Sequence, residues 1–228
     1  MHIPTLDVDW APSFRIIAAR YPPVNFFERI SADPKEWEIL LEIEKLTDPS
    51  LNIGNLSLET ADRIGGAGAG RVLPSFTFLD PNPPGSRFSN NKFGAYYAAD
   101  DLNTAVAETV HHRTAFLVST AQPPQDLDQL LILANIRGAL HDIRKMGKAL
   151  GTVYSGTDYA ASQSLTARLR SAGSLGIVYD SVRRSGSECI AVLRARVISN
   201  AREDRHITYR WNGTRITGFY DKGNFQAL

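Results

Sequence analysis

Three residues near the middle of the chain have types that catalytic clefts recruit. Arg87 follows a Pro/Gly loop (DPNPPG), Tyr97 comes ten residues later in an apolar run, and Glu108 eleven residues further on. Each has a plain structural alternative: a solvated loop charge, a half-buried strand residue, an exposed helix acid. Glu108 stands at the flank of a helical stripe formed by Leu102, Ala105, Val106, Thr109 and Val110, rather than opposite it. Spacing alone leaves open both a shared site and three unrelated residues, because structural ion pairs are common.

Other chemistry-bearing features fall away. The glycine-rich stretch at 64–70 (IGGAGAG) has no register giving Gly-x-Gly-x-x-Gly, no following Lys and no amphipathic helix after it. It reads as a surface loop. His111 and His112 are adjacent, so on a helix they diverge by about 100° and cannot share a metal from one face. They read as solvated or supporting histidines. Gly-x-Ser-x-Gly is absent, which removes a common serine hydrolase signature. Cys189 sits in an apolar run and reads as a buried structural thiol. No metal site is expected.

The elements that must position these residues follow from periodicity and turn signals. Strands are expected at 14–18 (FRIIA), ended by Tyr21-Pro22-Pro23, and at 72–79 (VLPSFTFL), where Pro74 favours a sheet edge. A helix is expected at 34–46, with Asp33 as N-cap, Pro34 in the first position and Glu36 closing a capping box. The run 94–99 (GAYYAA) reads as a strand leading into Asp100-Asp101, a good start for a helix near 102–113. Further strands are expected at 130–137 and 139–144, then a helix at 160–172 stopped by Gly173, then strands at 176–180 and 188–198. Runs 207–211 and 214–220 flank Asn212-Gly213, a signal for a two-residue hairpin turn. Strands dominate and do not alternate with helices, which favours an α+β fold.

Composition is that of an ordinary globular chain, with 43% hydrophobic and 21% charged residues over 228 positions. A single domain spanning 1–228 is expected. The net charge of +1 gives no field to draw the chain to nucleic acid, and the single cysteine excludes an internal disulfide or a Cys-based zinc site. No apolar run approaches the roughly 18 residues needed to cross a bilayer. The start, MHIPTLDVDW, carries acids where a signal peptide needs a basic stretch. A cytoplasmic protein is the expectation, without membrane or direct nucleic-acid binding.

The block GSRFSNNKFGAYYAADDLNTAVAET (residues 85–109) resembles the RES-domain family, toxins of Xre–RES toxin–antitoxin pairs. That family's pattern runs Gly-x-Arg-aromatic-Ser/Asn, Gly-x-x-Tyr-Ala, then Thr/Ala-Ala-x-x-Glu. Arg87, Tyr97 and Glu108 stand at the matching places, and Ser181 in GIVYDSVR (176–183) matches the family's Ser. Asp62–Gly68 (DRIGGAG) and Phe14-Arg15-Ile16 agree too, so the resemblance covers roughly 13–197. Two departures are Phe78, where a His is expected in this branch, and the hairpin at 207–220, outside the pattern.

The resemblance implies an ADP-ribosyltransferase-like mixed sheet core with few flanking helices and a C-terminal β-hairpin. It also implies an enzyme that consumes NAD as substrate, with no prosthetic group, by cleaving the nicotinamide–ribose bond. Glu108 would stabilise the oxocarbenium-like ribose and hold a hydroxyl. Arg87 suits pyrophosphate or ribose oxygens, Tyr97 the nicotinamide ring and its edge, and Ser181 the ribose. Arg15 is a second anion-binding candidate, with a structural role equally open. Water or inorganic phosphate could be the acceptor, with Arg183 and Arg184 available for a phosphate pocket. Its implied partner is an Xre-type helix-turn-helix antitoxin covering the cleft, and a homodimer is left open. One alternative is a transferase placing ADP-ribose on a macromolecule, revealed by labelled product bands from labelled NAD. Another is a non-catalytic NAD- or partner-binding module, revealed by binding without turnover.

Overall fold

The structure is a computed structural model that describes residues 2–19, 85–90 and 92–222. The helix expected at 34–46, the strand at 72–79, the glycine-rich stretch and Phe78 lie outside the described residues.

Four strands share the first sheet region: β1 (Thr5–Ala18), β2 (Tyr96–Ala99), β4 (Gly176–Asp180) and β5 (Glu188–Val192), with the long β3 (Gln125–Asp142) crossing beside them. β6 (Ile198–Trp211) and β7 (Ile216–Asp221) complete a seven-stranded sheet in the order β1-β2-β5-β4-β3-β6-β7. β1 also pairs with β3, so five strands close into a ring and β6–β7 extends from it. Only β3–β4 is parallel, through His141↔Ile177 and Asp142↔Val178; the rest are antiparallel.

A ring of strands has two faces, and side-chain alternation fills each separately. Tyr96, Ala98, Val178, Ile190, Val192, Ile136 and Leu140 form one buried cluster. Their neighbours Tyr97, Ala99, Ile177, Tyr179, Cys189 and Ala191 belong to the other, where α1 (Leu102–Ser119) contributes Ala105 and α2 (Ala160–Ser171) contributes Leu165. The α+β mixed sheet with two described helices and a C-terminal hairpin agrees with the expectation.

Several boundaries differ, each for a physical reason. β1 starts at Thr5, because a bulge between Trp10 and Ser13 absorbs Pro12, which has no N–H to give. The two strands expected at 130–137 and 139–144 are one, since Gly138 continues it; a Cβ there would come within 2.9 Å of Val197 Cγ1. α1 runs to Ser119, its last turns held by buried Leu117. The run expected as a strand at 188–198 stops at Val192, a short 3₁₀ turn covers Ala195–Val197, and Ile198 opens β6. The hairpin connection is four residues long, with Trp211 paired to Ile216. Asn212 shapes it: its Oδ1 accepts from the Thr214 and Arg215 N–H groups, and its own N–H donates to Arg215 O. The helix at 160–172 and the strand at 176–180 fall where expected, and Gly173 ends α2 at φ +84°.

Candidate active site

A cavity of about 270 Å³ opens between β1, β2, β5, α1 and the segment before β2. Arg15, Arg87, Tyr97, Glu108, His112, Tyr159, Tyr179, Arg183 and Cys189 are among its lining. Arg87, Tyr97, Glu108 and Arg15 are thus brought together, and Ser181 joins them through Glu108.

Arg87 rides on a turn whose shape is dictated by its neighbours. Gly85 takes φ +79°, and a Cβ there would stand 2.4 Å from Ser89 O. Phe88 is fully buried, edge-on to Tyr179 with ring centroids 4.7 Å apart, and pins the turn to the core. Arg87 is itself buried; its Nη1 donates to Val153 O at 2.8 Å and its guanidinium lies 5.1 Å from the Tyr159 ring centroid. A cation in that position is stacked and oriented, not solvated.

Strand alternation presents Tyr97 to the cavity and sends Tyr96 to the opposite cluster. The Tyr97 hydroxyl serves the Arg87 turn. It accepts from Phe88 N–H at 2.9 Å and Ser86 Oγ at 2.7 Å, and donates to Ser89 Oγ at 3.3 Å. That corrects the expectation of a hydroxyl aimed at a substrate edge; the ring face is what the cavity receives. Burial raises the Tyr97 pKa against the pull of those hydrogen bonds, so the group stays a phenol.

Glu108 comes from α1, whose N-cap Asp101 accepts from Thr104 N–H at 3.0 Å and Thr104 Oγ1 at 2.7 Å. Its Oε1 accepts from Ser181 Oγ at 2.6 Å, and Cys189 Sγ lies 3.7 Å from the same oxygen. Cys189 is buried, as expected, and it also lines the cavity. Burial and then the Glu108 charge push that thiol far up, so it is no nucleophile.

Of the two roles left open for Arg15, the structural one is visible in its contacts. It lines the cavity, yet its Nη1 donates to Tyr97 O at 3.0 Å and its guanidinium covers the Tyr96 ring at 4.7 Å. Arg183 also lines the cavity; its Nη2 donates to Gly156 O at 2.7 Å, while its Nε is buried without a hydrogen-bond partner among the described residues. Arg184 does not contribute. It is spent on Asp101 Oδ2 at 2.7 Å, Thr104 Oγ1 at 2.9 Å and Ser187 Oγ at 2.9 Å.

Sequence reasoning missed Tyr159 and Tyr179, and it read His112 as a solvated or supporting histidine without placing it at the cavity. Tyr179 was legible, being two residues before Ser181 and so on the same strand face. His112 was legible too, one helical turn after Glu108 at i+4. Desolvation at the cavity wall and the neighbouring His111 hold its imidazole below the ordinary range; Glu108 opposes them, and Arg183 and Arg87 add to the lowering. No three His, Cys, Asp or Glu side chains gather to hold a metal among the described residues. No helix among them is long and apolar enough to cross a membrane.

The RES domain family model matches residues 60–212, a span that holds Arg87, Tyr97, Glu108 and Ser181. The chain belongs to the RES-domain family. A relative from Sinorhizobium fredii, "Uncharacterized protein y4oC", is 35% identical over 221 residues, covering 92% of this RES chain and 89% of its own. A solved chain from the M. tuberculosis MbcT-MbcA toxin-antitoxin complex superposes with a TM-score of 0.46 at 13% identity, over 92% of this chain and 88% of that one.

Proposed function

We propose that this RES protein degrades NAD by breaking the nicotinamide–ribose bond. The observation that carries the reading is the make-up of one cavity: Arg87 and Arg183 line it together with a single carboxylate, Glu108, while the guanidinium of Arg15 is turned onto Tyr96. An excess of guanidinium groups suits a substrate with two phosphates, and a lone anchored carboxylate suits a centre that turns positive. The cavity, at about 270 Å³, fits the reacting end of a dinucleotide and leaves the remainder at its mouth.

In this reading the bond between the nicotinamide nitrogen and the ribose carbon breaks, and its electron pair stays on nicotinamide, which leaves neutral. Glu108 stabilises the oxocarbenium-like carbon while Arg87 holds phosphate or ribose oxygens. Tyr97 and Tyr159 offer ring faces to the flat leaving group. An oxygen nucleophile then bonds to the ribose carbon. Water or inorganic phosphate can be that nucleophile, and Arg183 on the cavity wall is the cation available to place phosphate. Membership of the RES family extends the reading to a toxin that depletes NAD under the restraint of an Xre-type antitoxin covering the mouth.

Purified protein incubated with NAD, with and without phosphate, tests this by product analysis. Nicotinamide and a ribose-1-phosphate-type product that depends on phosphate support it; free ADP-ribose in both conditions returns water as acceptor. Absence of nicotinamide release in both would sink the reading.

A further inference from the structure

The hydroxyl of Ser181 has no hydrogen-bonding capacity left for a substrate. A serine hydroxyl has one proton and two lone pairs. The proton goes to Glu108 Oε1 at 2.6 Å, a length typical of a hydroxyl on a carboxylate. The lone pairs accept from the Arg183 N–H at 3.2 Å and the Arg184 N–H at 3.1 Å. Ser181 is buried, and its own N–H donates to Ser187 O at 2.8 Å, which closes the turn. One side chain thus ties the cavity's carboxylate to the turn that carries Arg183. Oε1 of Glu108 receives the Cys189 thiol as well, whereas the described residues send no hydrogen bond to Oε2.

We propose that Ser181 is a positioning residue that clamps Glu108 by Oε1, leaving Oε2 as the working oxygen, and does not itself contact substrate. The inference deepens the NAD reading of the same site and replaces the ribose contact that family resemblance implies for this serine. Loss of the clamp lets Glu108 rotate out of the geometry that aims Oε2 at the reacting carbon. A displacement of even an ångström at a reacting centre costs about 100-fold in rate.

The experiment compares wild type with Ser181→Ala, Ser181→Thr and Ser181→Cys by steady-state kinetics and by thermal melting. Positioning predicts that Ser181→Ala lowers kcat by roughly 10- to 100-fold with KM for NAD within about twofold. Ser181→Thr, which keeps the hydroxyl, restores most of the rate. A rise in KM with kcat unchanged would overturn the proposal in favour of a substrate contact. A second readout needs no NAD: the ¹³C resonance of the Glu108 carboxyl at one fixed pH, identified by its loss in Glu108→Gln. It should move in Ser181→Ala and return toward the wild-type position in Ser181→Thr, and equal positions in wild type and Ser181→Ala overturn the clamp. Should the wild type not turn over NAD, the functional reading fails while the resonance still decides the clamp. Should Ser181→Ala not fold, Ser181→Cys, a weaker donor of similar size, must displace the same resonance, and an unmoved resonance overturns the clamp.

Discussion

Arg184 Nη1 meets Asp101 Oδ2 at 2.7 Å, fastening the turn after Ser181 to the N-cap of the helix that carries Glu108. One carboxylate therefore caps α1 and anchors the 181–187 turn, so helix start and turn hold a common register. Glu108, seven residues into α1, and Ser181, three residues before Arg184, meet because that junction is closed.

Asp101→Ala should destabilise the fold by about 0.5–2 kcal/mol, chiefly through the lost cap, since the half-exposed pair with Arg184 adds little. Burial raises the Asp101 pKa, but the Thr104 hydroxyl and N–H and the Arg184 charge outweigh it, and the net direction is down. A depressed folded-state pKa means stability that is present above the unfolded value of about 3.9 and lost as pH falls through the folded value. The gap between wild type and Asp101→Ala in urea melts should be flat near neutrality and should narrow below about pH 4. A gap that stays constant to pH 2.5 would show that the charge of Asp101 is irrelevant to it.

Glu108→Gln keeps the size of the side chain and can still meet Ser181, so the melting temperature should hardly change. Nicotinamide release should fall about 10²- to 10³-fold, the usual loss for one group that stabilises transition-state charge. Near-normal release by the Gln variant would remove Glu108 from the chemistry.

Arg87→Lys retains the charge but not the fork or the flat face stacked on Tyr159. Affinity for NAD, measured by calorimetry in the Glu108→Gln background to avoid turnover, should drop by roughly 10- to 100-fold, as for losing a charged hydrogen bond. Unchanged affinity for both Lys and Ala variants would make Arg87 a purely structural residue.

Local pattern made much of this site legible. Alternation separated Tyr97 from Tyr96, the stripe placed Glu108 at the flank of its helix, and the strand 176–180 delivered Ser181 at its end. What pattern misses is pairing between distant segments. Arg184 reads as a free cation until Asp101, 83 residues away, is beside it. Cys189 reads as core and is core, but that it also faces the cavity emerges only when antiparallel pairing sets it opposite both Ala99 and Tyr179. The stretch 199–206 (SNAREDRH) looks unlike a strand because it buries so little: Ala201 is its one fully buried side chain. Backbone pairing with β3 makes it one. The end of α1 was read short because His111-His112-Arg113-Thr114 interrupt the stripe before Leu117 resumes it.

Tyr96 and Tyr97 are adjacent, yet their hydroxyls have opposite standing, and that gives the sharpest pair of variants. Tyr96 is fully buried, its hydroxyl makes no well-aligned hydrogen bond among the described residues although Ser13 lies near it, and Arg15 covers its ring. Removing a buried hydroxyl without a well-aligned partner relieves a desolvation cost, so Tyr96→Phe should be as stable as wild type or more so, with activity retained. Tyr96→Ala removes the ring itself and should cost about 3–5 kcal/mol. The Tyr97 hydroxyl, by contrast, joins Ser86, Phe88 and Ser89 into the turn that presents Arg87. Tyr97→Phe keeps the ring face in the cavity but releases that turn and leaves the Phe88 N–H without its acceptor. The loss should be about 1–3 kcal/mol in stability, with a raised KM for NAD because Arg87 is no longer held. Tyr97→Ala should lose turnover as well, since the ring face goes too. Measured side by side for melting temperature and nicotinamide release, the two Phe variants should move in opposite directions on stability. If Tyr97→Phe matches wild type in both stability and KM, the hydroxyl does not hold the turn, and Arg87 is positioned by Val153, Tyr159 and buried Phe88 alone.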